Sequence, residues 1–210
     1  MAKLYFVRHG KTEWNLAMKL QGSKGDSPLL EESYFETALL GERLKKISFS
    51  KVYVSPQKRA IETANVLMEE LLIKPEIIQK EGLKEFGLGE LEGQLILDAI
   101  DAYPEQMHHL RNNPHEYDPS EFGGETFSEM IKRSVVVVEE AVMQNPNENL
   151  LFVGHGATLV ALIQTLSGKP LEQIRKAGGL DNSSLSIIEM NELGYELILW
   201  NDTSHLDYLN

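Results

Sequence analysis

The sequence contains no cysteine. That excludes disulfides, thiolate zinc sites, iron–sulfur clusters and a cysteine nucleophile. Long apolar runs are missing too. Runs such as Val135 to Val138 and Leu150 to Val153 hold only a few residues, whereas a membrane-spanning helix needs about 20. Met1 to Phe6 shows neither the apolar stretch nor the small-residue cleavage site of a secretory leader, so the expected location is the cytoplasm, with no membrane partner. Positive charge is also scarce. Lysine and arginine total 20 against 32 acids, a formal net charge of −12. Such a surface repels a nucleic-acid backbone and argues against a nucleic-acid partner. It equally opposes a small anionic substrate, so an enzyme for one must concentrate its cations in a pocket.

What is present is ordinary globular composition, 210 residues with 42% hydrophobic and 25% charged, which fits one large domain over residues 1–210. Lys3 to Arg8 reads as a buried strand, followed by a short helix after Thr12 and a loop over 21–28. A helix is expected over 34–47, with Ala38, Leu39, Leu44 and Ile47 near its apolar face. Lys51 to Val54 is a strand. Ser55-Pro56 then reads as a helix start, a cap hydroxyl followed by proline, and that helix runs to about Leu72. Further strands are expected at Glu76 to Gln79, Leu150 to Val153, Ser183 to Met190 and Glu196 to Trp200, the last two as a hairpin turning at 191–194. Thr126 and Glu129 form a capping box that opens another helix, and Gly156 to Leu166 is a helix as well. The alternation predicts an α/β fold, a single domain with a mostly parallel central sheet and helices on both faces. Residues 94–125 read as an excursion from the sheet, a cap over a site at the strand ends.

Two segments echo each other. Val7-Arg8-His9-Gly10 and Val153-Gly154-His155-Gly156 each place a histidine at the carboxyl end of a buried strand, beside a glycine that lets a ligand approach the backbone. A single histidine there is ordinarily a hydrogen-bonded structural residue. Two in matched contexts converge if the strands are neighbours. Arg8 adjoins His9, and Arg59 falls in the first turn of a helix, with Thr63 one turn on. Two arginines, two histidines and helix N-termini at strand ends describe a phosphate or sulfate pocket, because guanidinium forks match phosphoryl oxygens. Glu85, Glu90 and Glu92 lie in the glycine-punctuated run Leu83 to Gly93. A carboxyl set in an apolar loop there is a candidate general acid.

Together these motifs resemble the histidine phosphatase superfamily, which includes the phosphoglycerate mutases. Arg8-His9-Gly10 with Thr12 and Asn15 is similar to its first motif, and Ser55 to Ala64 to its second. Leu83-x-Glu85 with Gly89, Glu92 and Gly93 is similar to the third, and Val153 to Gly156 to the fourth. Gln21-Gly22 and Asp26 to Leu29 match the intervening loop. The resemblance implies a phosphoglycerate mutase-like fold and a phosphohistidine mechanism. His9 would attack phosphorus, while Arg8, Arg59 and His155 hold the phosphoryl oxygens and Glu85 moves the proton. Asn15, Gln21, Gly22 and Gly156 would bind substrate, and Glu125 would lie near the pocket. No metal and no other cofactor is implied.

The sequence departs from the family pattern at Val54 and Gln57, expected to be clear of phosphorus, and at Phe86, where mutases carry arginine. Arg111 is the only arginine in 94–125. Both features argue for a phosphatase acting on a small phosphorylated substrate. A phosphoglycerate mutase and a non-catalytic phosphoester-binding protein are the alternatives. Lys11 and Lys24 are expected to assist at the pocket mouth, while His108, His109, Arg111, His115 and Tyr117 are candidates to meet the leaving group. A P-loop is excluded because Tyr5 stands where its first glycine is required. The six histidines show no metal-ligand spacing.

Overall fold

The computed structural model describes residues 2–192 and 194–209. Strands β1 (Lys3–Arg8), β2 (Lys51–Val54), β3 (Glu76–Gln79), β4 (Leu150–Gly154), β5 (Leu185–Asn191) and β6 (Gly194–Asp202) form one sheet in the order β3-β2-β4-β1-β5-β6. The first four are mutually parallel, and β5 and β6 add an antiparallel edge. The expected α/β class and single domain are therefore observed. Of the hairpin turn 191–194, residue 193 lies outside the described residues.

The period of two in the strands explains the layers. Leu4 and Phe6 of β1, Tyr53 of β2, and Leu150 and Phe152 of β4 face one side. There they meet Val138 and Ala141 of α6 (Phe127–Gln144), and Leu159 and Ile163 of α7 (Gly156–Leu166). Tyr5, Val7, Val52, Val54, Leu151 and Val153 face the other side. They meet Leu40 and Leu44 of α2 (Glu31–Leu44), and Ala64 and Leu67 of α3 (Lys58–Glu70). With both faces covered, the central strands read as continuous apolar runs. Thr126 caps α6 with the expected capping box.

Two helices differ from expectation. α2 begins at Glu31, and its buried face is Ser33, Thr37, Leu40, Gly41 and Leu44, not the stripe through Ala38 and Leu39. Small and polar residues occupy that face because it packs closely over the β1 exit, where Ser33 donates to the Lys11 carbonyl at 2.9 Å. An apolar periodicity cannot reveal such a face. α3 begins at Lys58 rather than at Pro56. The Ser55 hydroxyl is taken by His155 at 2.7 Å, and the cap comes from a distant loop, where Asp26 accepts from the Lys58 amide at 2.7 Å.

Residues 94–125 form α4 (Ile96–Ala102), α5 (Pro104–Asn112) and a short turn at Ser120–Phe122. α1 (Glu13–Leu16) and the loop after it lie alongside, with Lys19 bridging to Leu95. Phe86, Met107, Leu110, Tyr117, Phe122, Phe127 and Met130 give this region its own apolar cluster. Among the described residues, no helix is long and apolar enough to cross a membrane.

Phe152 stacks between Phe6 and Tyr53, with ring centres at 5.1 and 5.3 Å, and is fully buried. Phe152→Ala should cost about 3–5 kcal/mol, and Phe152→Leu clearly less. Urea unfolding of both variants measures this, and a loss below about 1 kcal/mol for the alanine would contradict the packing argument.

Candidate active site

The carboxyl ends of β1, β2 and β4 bring the motif residues together. His9 follows β1 and His155 follows β4. Because those strands are direct neighbours, the two rings lie 5.2 Å apart. His9 is nearly inaccessible, and its Nδ1 donates to the Gly10 carbonyl at 2.7 Å. That bond leaves Nε2 as the ring's lone-pair nitrogen. Among the described residues nothing bonds to it. Burial holds the imidazole well below the usual histidine range, and the Arg59 and Arg8 guanidiniums push it the same way. His9 is therefore neutral at pH 7, with an unoccupied Nε2.

Arg59 is 1% exposed and spends four of its five N–H donors on structure. It donates to the carbonyls of Gly25 at 2.8 Å and Gly22 at 3.1 Å, to the Asp26 carboxylate at 2.9 Å, and to His155 Nδ1 at 3.2 Å. His155 in turn donates from Nε2 to Ser55. Both of its nitrogens are thus engaged within the protein, behind His9 rather than on the cavity wall. Burial, followed by Arg59 and His9, holds it well below the usual range. Arg8 donates to the Leu180 carbonyl, while its buried Nε has no partner.

The other predicted contacts divide. Asn15 lines the cavity, and its carbonyl accepts from Thr12 and Asn182, which leaves its NH₂ for a ligand. Gln21 lines it as well, but its amide is committed to Thr12 at 2.7 Å and Ser27 at 3.3 Å. Gly22, at φ +65°, has no room for a side chain, because a Cβ would fall 2.3 Å from the Glu92 carboxyl carbon. Gly156 stands off the cavity wall. Its missing side chain makes room for Arg8, whose Nε would lie 3.3 Å from a Cβ there. Gly10 packs on Ser33 rather than facing a ligand, and its amide donates to Thr63, so Thr63 positions the β1 exit.

Glu85 occupies the N-terminus of α7. Its carboxylate accepts from the amides of Ala157 at 3.1 Å and Thr158 at 2.9 Å, from the Thr158 hydroxyl at 3.1 Å and from its own neighbour Phe86 at 2.8 Å. The surroundings are polar, unlike the apolar loop expected. Two residues to which sequence reasoning gave no such role, Gln57 and Arg133, set its place. Gln57 accepts from the Glu85 amide and donates to the Gly22 carbonyl, joining two motif loops. Arg133 on α6 donates to the carbonyls of Gly82, Lys84 and Glu85, and forks onto Glu125, which accepts from the Gly87 amide. Glu92 accepts from the amides of Ser23, Lys24, Gly25 and Leu88. Only the family pattern around Glu92 and Glu125 offered a signal.

These groups enclose a cavity of about 180 Å³ lined by Arg8, His9, Asn15, Arg59 and Glu85. The same lining includes Lys19, Arg111 and Arg175, with Met107 and Leu110. Lys11 and Lys24, expected there, do not line it. Lys24 faces a larger, more open hollow of about 590 Å³ that contains neither histidine. Of the candidates in 94–125, Arg111 reaches the cavity. His108, His109 and His115 do not, and Tyr117 is buried in the apolar cluster. The scarcity of arginine read from 94–125 alone is corrected by the fold, which brings Arg175 and Lys19 beside Arg111. Among the described residues, no group of three or more histidines and acids is placed to hold a metal ion.

His9 and His155 titrate below the 6.5 of a free imidazole, so below that pH the unfolded chain binds protons that the folded chain refuses. Stability should be full above pH 6.5 and fall as the pH drops, by up to about 1.4 kcal/mol per unit per imidazole. Urea unfolding from about pH 8 to pH 5 measures the slope. His9→Asn should flatten it, and stability unchanged toward pH 5 would contradict burial of neutral rings.

Comparison with known proteins bears on the family and the fold. The family model "Histidine phosphatase superfamily (branch 1)" matches residues 4–203. Phosphoserine phosphatase 1 of Hydrogenobacter thermophilus is 30% identical over 98% of this chain and 95% of its own length. A probable phosphoglycerate mutase, GpmB of Serratia proteamaculans, is 32% identical over 99% and 96%. The solved structure of Bacillus stearothermophilus YhfR superposes with a TM-score of 0.90 at 31% identity, covering 98% of this chain and 100% of that one. With the model spanning nearly the whole chain and the motif residues meeting at the strand ends, this protein belongs to the histidine phosphatase superfamily, branch 1.

Proposed function

We propose that the protein is a metal-independent phosphomonoester hydrolase working through phosphohistidine on His9. The observation that carries this reading is a neutral histidine with an unoccupied Nε2, in a cavity it shares with Arg8, Arg59 and Glu85. In the first step the Nε2 lone pair forms a bond to phosphorus. The bond to the ester oxygen breaks, and Glu85 gives that oxygen a proton, releasing the alcohol. In the second step water attacks the phosphohistidine and gives its proton to Glu85. The phosphorus–nitrogen bond breaks, releasing inorganic phosphate and neutral His9. Covalent catalysis of this kind divides one displacement into two easier ones.

Arg8, with a buried Nε that lacks an acceptor, and the Asn15 NH₂ supply donors for the phosphoryl oxygens. Arg59 adds fixed positive charge, and such preorganised charge contributes most where it develops in the transition state. His155 supports this reading differently from the direct contact implied by the family pattern. With both nitrogens engaged, it serves to hold Arg59 in place. A cytoplasmic location remains part of this proposal.

A phosphoglycerate mutase is the second reading, favoured by the cations Lys19, Arg111 and Arg175 in the cavity lining. Phe86, where mutases carry arginine, favours the hydrolase. Incubation with 3-phosphoglycerate separates the two, because a hydrolase releases inorganic phosphate whereas a mutase retains it on carbon.

With a chelator present, the native protein should release phosphate from an aryl phosphate and His9→Ala should not. Acid-labile phosphate should be trapped on His9 during turnover. Activity persisting in His9→Ala would assign the wrong nucleophile. Glu85→Gln should slow alkyl phosphates by about 10²–10⁴-fold and activated aryl phosphates much less, since only the former need leaving-group protonation. Equal slowing of both classes would remove Glu85 as the acid.

A further inference from the structure

Arg8 is held by a loop from the other end of the chain. Among the described residues, its side chain makes one hydrogen bond, to the Leu180 carbonyl. Burial pulls the guanidinium below the ordinary arginine value, against the Glu85 and Asp181 carboxylates. Residues 180–184 also hold the backbone where β1 ends. The Ser183 amide donates to the Arg8 carbonyl at 3.1 Å, and the Arg8 amide donates to the Ser184 carbonyl at 3.3 Å. The Asn182 NH₂ donates to the His9 carbonyl at 3.0 Å. Yet the chain entering this loop is loosely determined. Gly178 lies at φ +83°, and nothing would touch a Cβ placed on it or on Gly179.

What fixes the loop from outside is Asn201 on β6. From the Leu185–Asp202 pair to the Ile187–Leu199 pair, β5 advances two residues and β6 three. Trp200 and Asn201 thus oppose Ser186 in a β-bulge, a device that re-aims side chains. Asn201 takes φ +50°, a left-handed backbone that non-glycine residues rarely adopt, asparagine more readily than most. Its amide donates to the Ser186 hydroxyl at 3.0 Å. Its side chain turns to Asp181 and closes a reciprocal pair. Oδ1 accepts from the Asp181 amide at 2.6 Å, and Nδ2 donates to the Asp181 carboxylate at 2.8 Å. Ser183, two residues along the loop, is buried and also left-handed, at φ +57°. Strained backbone of this kind persists where the surroundings over-determine it, and it clusters at functional sites.

We propose that Asn201 and Asp181 are positioning residues for the reaction, a clasp at a β-bulge that sets the Leu180 carbonyl and so aims Arg8 at the phosphoryl oxygens. This rests on the phosphohistidine reading above, in which Arg8 supplies donors to that group. The guanidinium is planar and rigid, so fixing Nη1 on Leu180 also fixes where the unpaired Nε–H points. A donor set in advance costs no reorganisation as charge develops on the phosphoryl group. Asn201 and Asp181 act only through Arg8, since neither lines the cavity.

Exchanging the two partners tests the clasp. Asn201→Asp sets two carboxylates against each other and should lower kcat/KM for phenyl phosphate about tenfold or more. Adding Asp181→Asn to it restores the reciprocal pair with the roles reversed, and should return kcat/KM to within about threefold of native. Rates are measured well below the thermal midpoint of each variant, where a loss of stability alone leaves them unchanged. On His9→Ala, which should not turn over, the NMR signal of the Arg8 Nε–H reports the same contact without catalysis; its absence from Arg8→Lys identifies it. Inorganic phosphate should shift that signal. Asn201→Asp should raise the phosphate midpoint about tenfold, and the exchange should reverse the change. A native kcat/KM in Asn201→Asp, a loss that the exchange does not repair, or an Arg8 signal that ignores phosphate overturns the clasp. If Asn201→Asp fails to fold, Asn201→Gly suits the left-handed backbone and adds no charge; it should show the same losses, and native values there overturn the clasp equally. Absence of phosphate release by the native protein would defeat the hydrolase reading. The phosphate midpoint on His9→Ala would then decide the clasp by itself.

Discussion

The site depends on one buried cation. The Arg59 guanidinium is withdrawn from water, and a charge so placed is tolerated only where its donors and its charge are both answered. The loop over 22–26 answers them, with two carbonyls and the Asp26 carboxylate. Asp26 then reaches the Lys58 amide and caps the helix that carries Arg59. The remaining Nε–H goes to His155, which is thereby held against Ser55. One side chain thus ties the exits of β2 and β4 to the first loop. Burial is what chiefly keeps His9 unprotonated, and the field of Arg59 adds to it.

A second frame holds the acid. Glu85 is fixed at the start of α7 by helix amides, and its own backbone is held by Gln57 from one side and Arg133 from the other. Gln57 belongs to both frames, since its amide group also donates to the Gly22 carbonyl. The groups read as nucleophile and acid are therefore not independent loops at a sheet edge.

The acidic exterior and an anionic substrate are reconciled by where the charges sit. Among the described residues, Glu85 is the only carboxylate lining the cavity, against Arg8, Arg59, Lys19, Arg111 and Arg175. A low-dielectric cleft of one sign focuses its field outward, so the net charge of the chain says little about what enters. Acids such as Glu31, Glu32, Glu69, Glu139 and Glu140 lie exposed on helices, where water screens them.

Sequence by itself determined the strands and the residues at their ends. Apolar runs at Leu4 to Val7 and Leu150 to Val153 could only be strands covered on both faces, and such strands bring His9 and His155 together once they pair. The residue pattern likewise singled out Arg8, Arg59 and Glu85, and the family resemblance added Asn15. What the tertiary structure decided was every role assigned through a side chain's partners. Gln57, Arg133 and Arg175 lie far along the chain from the groups they serve, and no local pattern distinguishes them from ordinary surface residues. The buried face of α2 was hidden because Ser33, Thr37 and Gly41 are chosen for close approach rather than for hydrophobicity. Gln21 and His155 were legible as site residues, yet their polar atoms proved to be committed to Thr12, Ser27, Arg59 and Ser55. A sequence shows which donors and acceptors are present. Which of them are left for a ligand depends on what remains after the fold has satisfied its own buried polar groups, and that is settled only when distant segments meet.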